Sequence, residues 1–115
     1  MTSGTMFEQG EIIVVPFPFS DLSSIKQRPV LVLSKDNYNN NSDDIITCGI
    51  TSNLKDTLYS ILIDNNNLEK GSLPKQSRIK IDKLFTIEKN IVKKKIGKLN
   101  NITMDKVKDE FRKLV

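Results

Sequence analysis

Histidine and tryptophan are absent from the 115 residues, and cysteine occurs once, at Cys48. Without histidine the chain lacks the usual neutral-pH proton shuttle and the commonest side-chain ligand for zinc. A zinc enzyme and histidine-assisted cysteine catalysis are therefore not expected. A single cysteine excludes an intrachain disulfide, and the apolar run around Cys48 marks it as a buried thiol. The carboxylates Asp43, Asp44, Asp56, Asp64 and Asp82 are scattered without a metal-binding pattern, so no metal or other cofactor is expected. No window approaches the roughly 18 to 20 apolar residues of a membrane helix, and the N-terminus lacks the basic and apolar stretches of a secretory signal. A cytoplasmic location, away from membranes, is the corresponding expectation. Phosphate-loop and glycine-rich dinucleotide signatures are also missing, as is an alternation of strands with crossover helices, which disfavours a doubly wound α/β fold.

What is present is enough for one compact core. Lysine and arginine total 18 against 14 acids, a net charge of +4 that permits a polyanionic partner without requiring one. The charge concentrates in Lys83, Lys89, Lys93, Lys94, Lys95 and Lys98, with Glu88 the one acid between Lys83 and Lys98. Such a run serves a solvated face or nucleic-acid attraction equally well.

The apolar pattern is mostly that of strands. Residues 1–9 are expected to be a flexible N-terminus ahead of one domain at 10–115. The β-branched and aromatic run Glu11–Phe17 predicts a strand that its prolines end. Ser20–Gln27 reads as an exposed loop, and Pro29–Ser34 as the next strand. The asparagine-rich stretch Lys35–Asp44 predicts a loop or short irregular helix. Strands are expected at Ile45–Ile50, Leu58–Asp64 and Ser77–Ile81, the last with Ile79 and Ile81 alternating with Arg78 and Lys80. Asn65–Gly71 reads as a polar turn, Lys83–Ile91 as a further short strand, and Gly97 as an interruption. Thr103 is placed to cap a helix whose Met104, Val107, Phe111 and Leu114 form one apolar stripe, with Asp105 in its first turn. The fold class is mainly β with peripheral helices, an antiparallel sheet or partly closed barrel carrying an amphipathic C-terminal helix.

The most informative polar groups are Gln27-Arg28-Pro29, at the start of one strand, and Thr51-Ser52-Asn53, at the end of another. Arginine brings a permanent charge and a fork of donors suited to phosphate oxygens, and the hydroxyls of threonine and serine hydrogen-bond a phosphoryl group. Arg-Pro and Thr-Ser at strand ends are also ordinary structural features.

Beyond these residues, five segments taken in order resemble the MazF/PemK-like toxin family of type II toxin-antitoxin systems. They are Gly10–Phe17, Gln27–Ser34, Gly49–Ser52, Ser77–Ile87 and Ile96–Leu99. The resemblance implies an SH3-like barrel, a homodimer, a cognate antitoxin and a metal-independent, sequence-specific endoribonuclease. Single-stranded RNA would be cut by attack of its own 2′-oxygen, leaving a 2′,3′-cyclic phosphate and a 5′-hydroxyl. Arg28 and Thr51 occupy the implied catalytic positions. Ser23 stands where some members carry a glutamate, so the proton-transfer group is not implied as directly; Asp21 is a nearby substitute. An arginine found beside the late strand of some relatives is missing around Leu84 and Phe85.

Ser20, Lys26, Gln27, Ser52 and Asn53 are candidate RNA contacts, with loop solvation the plainer reading. Phe17 and Phe19 are candidate stacking platforms, Phe17 being favoured for core packing. A CcdB-like toxin that poisons a topoisomerase is the rival reading, since a related barrel serves that role and fold does not decide function. A noncatalytic nucleic-acid- or antitoxin-binding module is a third. The matched Arg28 and Thr51 favour the nuclease.

Overall fold

The computed structural model describes residues 6–18 and 25–115. Strands β1 (Glu11–Pro18), β2 (Ile25–Val32), β3 (Asp44–Thr51), β4 (Ser60–Ile63), β5 (Leu68–Gly71), β6 (Ser77–Glu88) and β7 (Lys94–Leu99) form one antiparallel sheet in the order β4-β6-β3-β2-β1-β7-β5. A short helix, α1 (Asp36–Asn40), joins β2 to β3, and α2 (Asn101–Leu114) follows β7.

The sheet buries a different apolar set on each face. Ile12, Leu31, Cys48, Ile50, Ile79 and Ile81 pack with Met104 and Val107 of α2, and Phe111 and Leu114 complete the helical stripe. On the other face Ile13, Val15, Val30, Val32, Ile45 and Ile87 gather around Phe7. Strands buried on both faces need near-continuous apolar runs, which explains Ile12-Ile13-Val14-Val15 and Val30-Leu31-Val32. Phe7 lies within the segment expected to be flexible, yet it is buried, and its carbonyl accepts from Asn39 Nδ2 at 3.1 Å.

β1 tolerates its prolines because of where they fall. Its pairing with β7 covers only Glu11–Val14, so Pro16 sits where β1 has β2 as its neighbour and the second ladder has ended.

The boundaries depart from the sequence pattern in four informative places. β2 starts at Ile25, because residues 25–28 are held in register by the β1 ladder. Asn65–Gly71 is a single 3-10 turn followed by β5, whose Gly71 and Leu68 pair with Gly97 and Leu99 of β7. Gly97 is thus inside a strand. At Gly71, φ is +81° and an added Cβ would stand 2.2 Å from the Ile96 carbonyl oxygen, so the close approach of the two strands explains the glycine. The two strands expected between Ser77 and Ile91 are one, β6, of 12 residues. Finally, α2 is capped by Asn100, whose Oδ1 accepts from the Thr103 N–H at 2.9 Å. Thr103 lies inside the helix and accepts from Asn67 Nδ2, and the first turn holds no acid, so Asp105 falls beyond it.

β6 changes register against β3. Thr47 pairs with Phe85 and Cys48 with Leu84, but Gly49 pairs with Lys80 and Thr51 with Arg78. Residues 81–83 take up the difference, bending the strand as bulges do.

No helix among the described residues is long and apolar enough to cross a membrane.

Candidate active site

Side chains two apart on a strand share a face, and that rule assembles the site. Val30 pairs with Gly49 across the β2–β3 ladder. Arg28 and Thr51 each lie two residues beyond that pair, so they occupy the same face at the same end of the two strands. Arg28 is also directly opposite Val15 of β1, and Lys26 opposite Phe17. From β6, Arg78 is paired with Thr51 and Lys80 with Gly49. Phe17 and Phe85 meet on this face with ring centroids 4.9 Å apart and planes at 48°. One face thus passes from the apolar group around Ile13 and Val30, through an aromatic pair, to a basic region around a threonine hydroxyl.

Thr51 ends β3, and its Oγ1 accepts from the Asn53 N–H at 3.1 Å, while Asn53 Oδ1 accepts from the Lys55 N–H at 3.1 Å. These local bonds are the turn chemistry expected of Thr and Asn. A hydroxyl that accepts in this way still has its own hydrogen to donate. Arg28 and Thr51 are half-buried, and Ser52 and Asn53 are exposed beside them. Lys26 is exposed on the Arg28 face.

Gln27 is separated from this group. It alternates with Arg28 and lies on the opposite face, lining a cleft with Val14, Pro29, Ser72, Lys93 and Lys94. Ser20 lies outside the described residues, as do Phe19, Asp21 and Ser23.

Arg78, Lys80 and Phe85 join the face without having been candidates for it. Alternation with Ile79 and Ile81 is enough to turn Arg78 and Lys80 away from the core; pairing with β3 is what sets them beside Thr51. Phe17 both packs against the buried group and stacks on Phe85, which is 38% exposed.

Cys48 lies on the opposite face, fully buried. Burial, and secondarily the Asp82 charge, push its thiol far above the ordinary range, so it is not a nucleophile at neutral pH. Among the described residues no group of three or more cysteine, aspartate or glutamate side chains is arranged to hold a metal.

This architecture has known counterparts. An endoribonuclease from a mycobacterial species superposes with a TM-score of 0.76 at 15% identity, covering 97% of this chain and 93% of its own. An endoribonuclease in complex with its cognate antitoxin, also mycobacterial, gives 0.74 at 16% identity, covering 92% and 91%. MazF from Deinococcus radiodurans gives 0.75 at 16% identity, covering 96% and 97%. At such identities the likeness is one of fold. A search of curated proteins finds no match. A family profile, described as PemK-like, MazF-like toxin of type II toxin-antitoxin system, matches residues 8–115. With nearly the whole length matched and the antiparallel sheet and terminal helix in place, the chain belongs to the PemK-like, MazF-like toxin family.

Proposed function

We propose that this protein is the toxin of a type II toxin-antitoxin pair and acts as a metal-independent endoribonuclease on single-stranded RNA. The observation that carries the reading is the placement of Arg28 and Thr51 on one sheet face, each two residues past the Val30–Gly49 pair. The endoribonuclease activity named for the mycobacterial structural relatives supports it.

In this reading an RNA 2′-hydroxyl gives its proton to water as its oxygen attacks the adjacent phosphorus, and the bond from phosphorus to the 5′-oxygen breaks as that oxygen takes a proton from water. The products are a 2′,3′-cyclic phosphate and a 5′-hydroxyl. Negative charge grows on the phosphoryl oxygens, where the Arg28 guanidinium neutralises it and the Thr51 hydroxyl donates a hydrogen bond. Arg28 stays protonated and is not the general base. Lys26, Ser52 and Asn53 border the same face and contact the substrate backbone; Ser20 belongs with them on the resemblance alone. Gln27 faces the other way and stands apart from this contact surface. Phe85 offers a stacking surface for a base.

A homodimer and an antitoxin complete the proposal. The structural relative bound to its cognate antitoxin supports the second, and light scattering at about twice the monomer mass tests the first. The activity itself is tested by incubating protein with a long unstructured RNA in excess EDTA, then mapping cut sites and end groups. Cyclic phosphate ends are expected. Cutting that stops on chelation and returns with one divalent ion, or no cutting while a topoisomerase is inhibited, overturns the reading.

A further inference from the structure

Arg78 occupies the middle of a three-strand register, paired with Thr51 of β3 on one side and Leu62 of β4 on the other. Its side chain is only 11% exposed. The guanidinium is turned toward the segment 52–60 that links those neighbours. Nε donates to the Leu54 carbonyl at 3.0 Å, Nη1 donates to Ser60 Oγ at 3.1 Å, and Nη1 stands 3.4 Å from Asp56 Oδ1. Residues 52–59 belong to no helix or strand, so these bonds replace a ladder. Lys80 adds a second tie by donating to Thr57 Oγ1, which donates to Ser60 Oγ, which in turn donates to the Thr57 carbonyl. The segment closes through Tyr59, held in the left-handed region at φ +57°, whose carbonyl accepts from the Ile81 N–H.

We propose that Arg78 is a positioning residue for the Thr51 hydroxyl: by fixing the Leu54 carbonyl it fixes the turn in which Asn53 N–H meets Thr51 Oγ1, and so the direction in which Thr51 donates. The exposed Asp56 contributes little, because a carboxylate that is 86% exposed is well screened. The fork matters more than the charge. A planar guanidinium spans a backbone carbonyl and a hydroxyl at once, whereas an ammonium on a flexible stem does not hold that geometry. The same bonds turn Arg78 away from bound RNA, so it acts through Thr51.

This inference rests on the RNA-cutting reading of Thr51, and its test separates the two. Single-turnover cleavage at saturating protein is measured for wild type, Arg78→Ala, Thr51→Ala and the double variant, together with RNA affinity. Arg78→Ala is expected to slow cutting about tenfold with affinity changed less than about twofold, and to add less than about twofold in the Thr51→Ala background. A full tenfold loss persisting in that background overturns the proposal. If Arg78→Ala does not fold, the same cycle is run with Arg78→Lys, which keeps the charge and stem; recovery of the full wild-type rate by lysine also overturns it. Amide exchange at Asn53 supplies a readout independent of catalysis. It is expected to accelerate in either Arg78 variant while Ile79 stays protected, and unchanged Asn53 exchange rejects the positioning role. If wild type cuts no RNA, or Thr51→Ala cuts normally, the nuclease reading of Thr51 fails and the Asn53 exchange result still decides what Arg78 holds.

Discussion

Phe17 of β1 and Phe85 of β6 stack across two intervening strands, their centroids 4.9 Å apart at an angle of 48°. Curvature of the sheet is what allows strands that do not pair to touch, so this contact records how far the sheet curls on the side that carries Arg28 and Thr51. A tilted aromatic pair adds roughly 0.5–1.5 kcal/mol beyond area burial. Phe85→Ala loses this pair term together with the burial of a ring that is only 38% exposed, and is therefore expected to lower stability by about 2 kcal/mol in urea titrations. If the exposed part of the ring also stacks a base, RNA affinity falls by about tenfold in a binding isotherm. Loss of stability with affinity unchanged assigns the ring to the fold alone.

Arg28→Ala should damage the chemical step more than capture of RNA. Removing a charge that meets the transition state more strongly than the ground state is expected to slow single-turnover cutting by about 100-fold, roughly 2.7 kcal/mol. Thermal unfolding and a direct binding isotherm accompany the measurement. A rate that recovers fully at saturating protein places Arg28 in substrate binding instead.

Acid sensitivity is expected to come partly from the N-terminal segment. Glu8 accepts from Lys98 Nζ at 2.8 Å. That hydrogen bond, followed by the ammonium charge, holds the Glu8 carboxyl below its ordinary value of 4.5. A depressed carboxylate stabilises the fold above its unfolded-state value, and the contribution disappears as pH falls through the lower folded-state value. Lys98 is raised above 10.5, first by the hydrogen bond to Glu8, so its share is present below that value and is lost only as alkaline pH passes the raised one. Glu8→Gln should flatten the decline in urea midpoint between about pH 6 and about pH 3, and high salt should shrink the difference because the Glu8 side chain is 47% exposed. An unchanged acid limb would contradict this assignment.

Gly71 and Gly10 separate strain from collision. Both have positive φ, but a Cβ on Gly10 meets nothing nearer than 3.6 Å, while one on Gly71 would lie 2.2 Å from the Ile96 oxygen and 2.4 Å from Gly97 Cα. Gly10→Ala is expected to cost about 1–2 kcal/mol, the left-handed penalty alone. Gly71→Ala should cost upwards of about 3 kcal/mol, or prevent folding, because β5 must leave β7. Equal denaturation midpoints for the two variants would show that β5 and β7 separate at no cost.

The parts of this fold legible in the sequence are those whose own side chains decide the structure. Glu11–Pro18, Asp44–Thr51 and the stripe Met104, Val107, Phe111 and Leu114 carry their periods in apolar residues, and each element lies where its pattern puts it. Lys26–Arg28 and Glu69–Gly71 are polar or small; backbone pairing with neighbours distant in sequence makes them strands, and composition carries no trace of that. The site divides in the same way. Arg28 and Thr51 stand out as phosphate-binding residue types beside a strand. Arg78 does not, since its importance lies in the β3–β6 register, and Gln27 looks equivalent to Arg28 until alternation sends it to the other face.

The register shift in β6 makes chain length, rather than residue identity, the sensitive quantity at Asp82 and Lys83. Below the shift, odd-numbered Phe85 and Ile87 oppose odd-numbered Thr47 and Ile45; above it, even-numbered Lys80 and Arg78 oppose odd-numbered Gly49 and Thr51. The segment acts as a parity switch, and it is why one strand can send Ile79 and Ile81 into the core beneath α2 and Phe85 to the opposite surface. Asp82 and Lys83 are exposed. Adding or deleting a single residue there would invert one half of the strand against the other, exchanging a core isoleucine for a lysine without altering any side chain outside the segment.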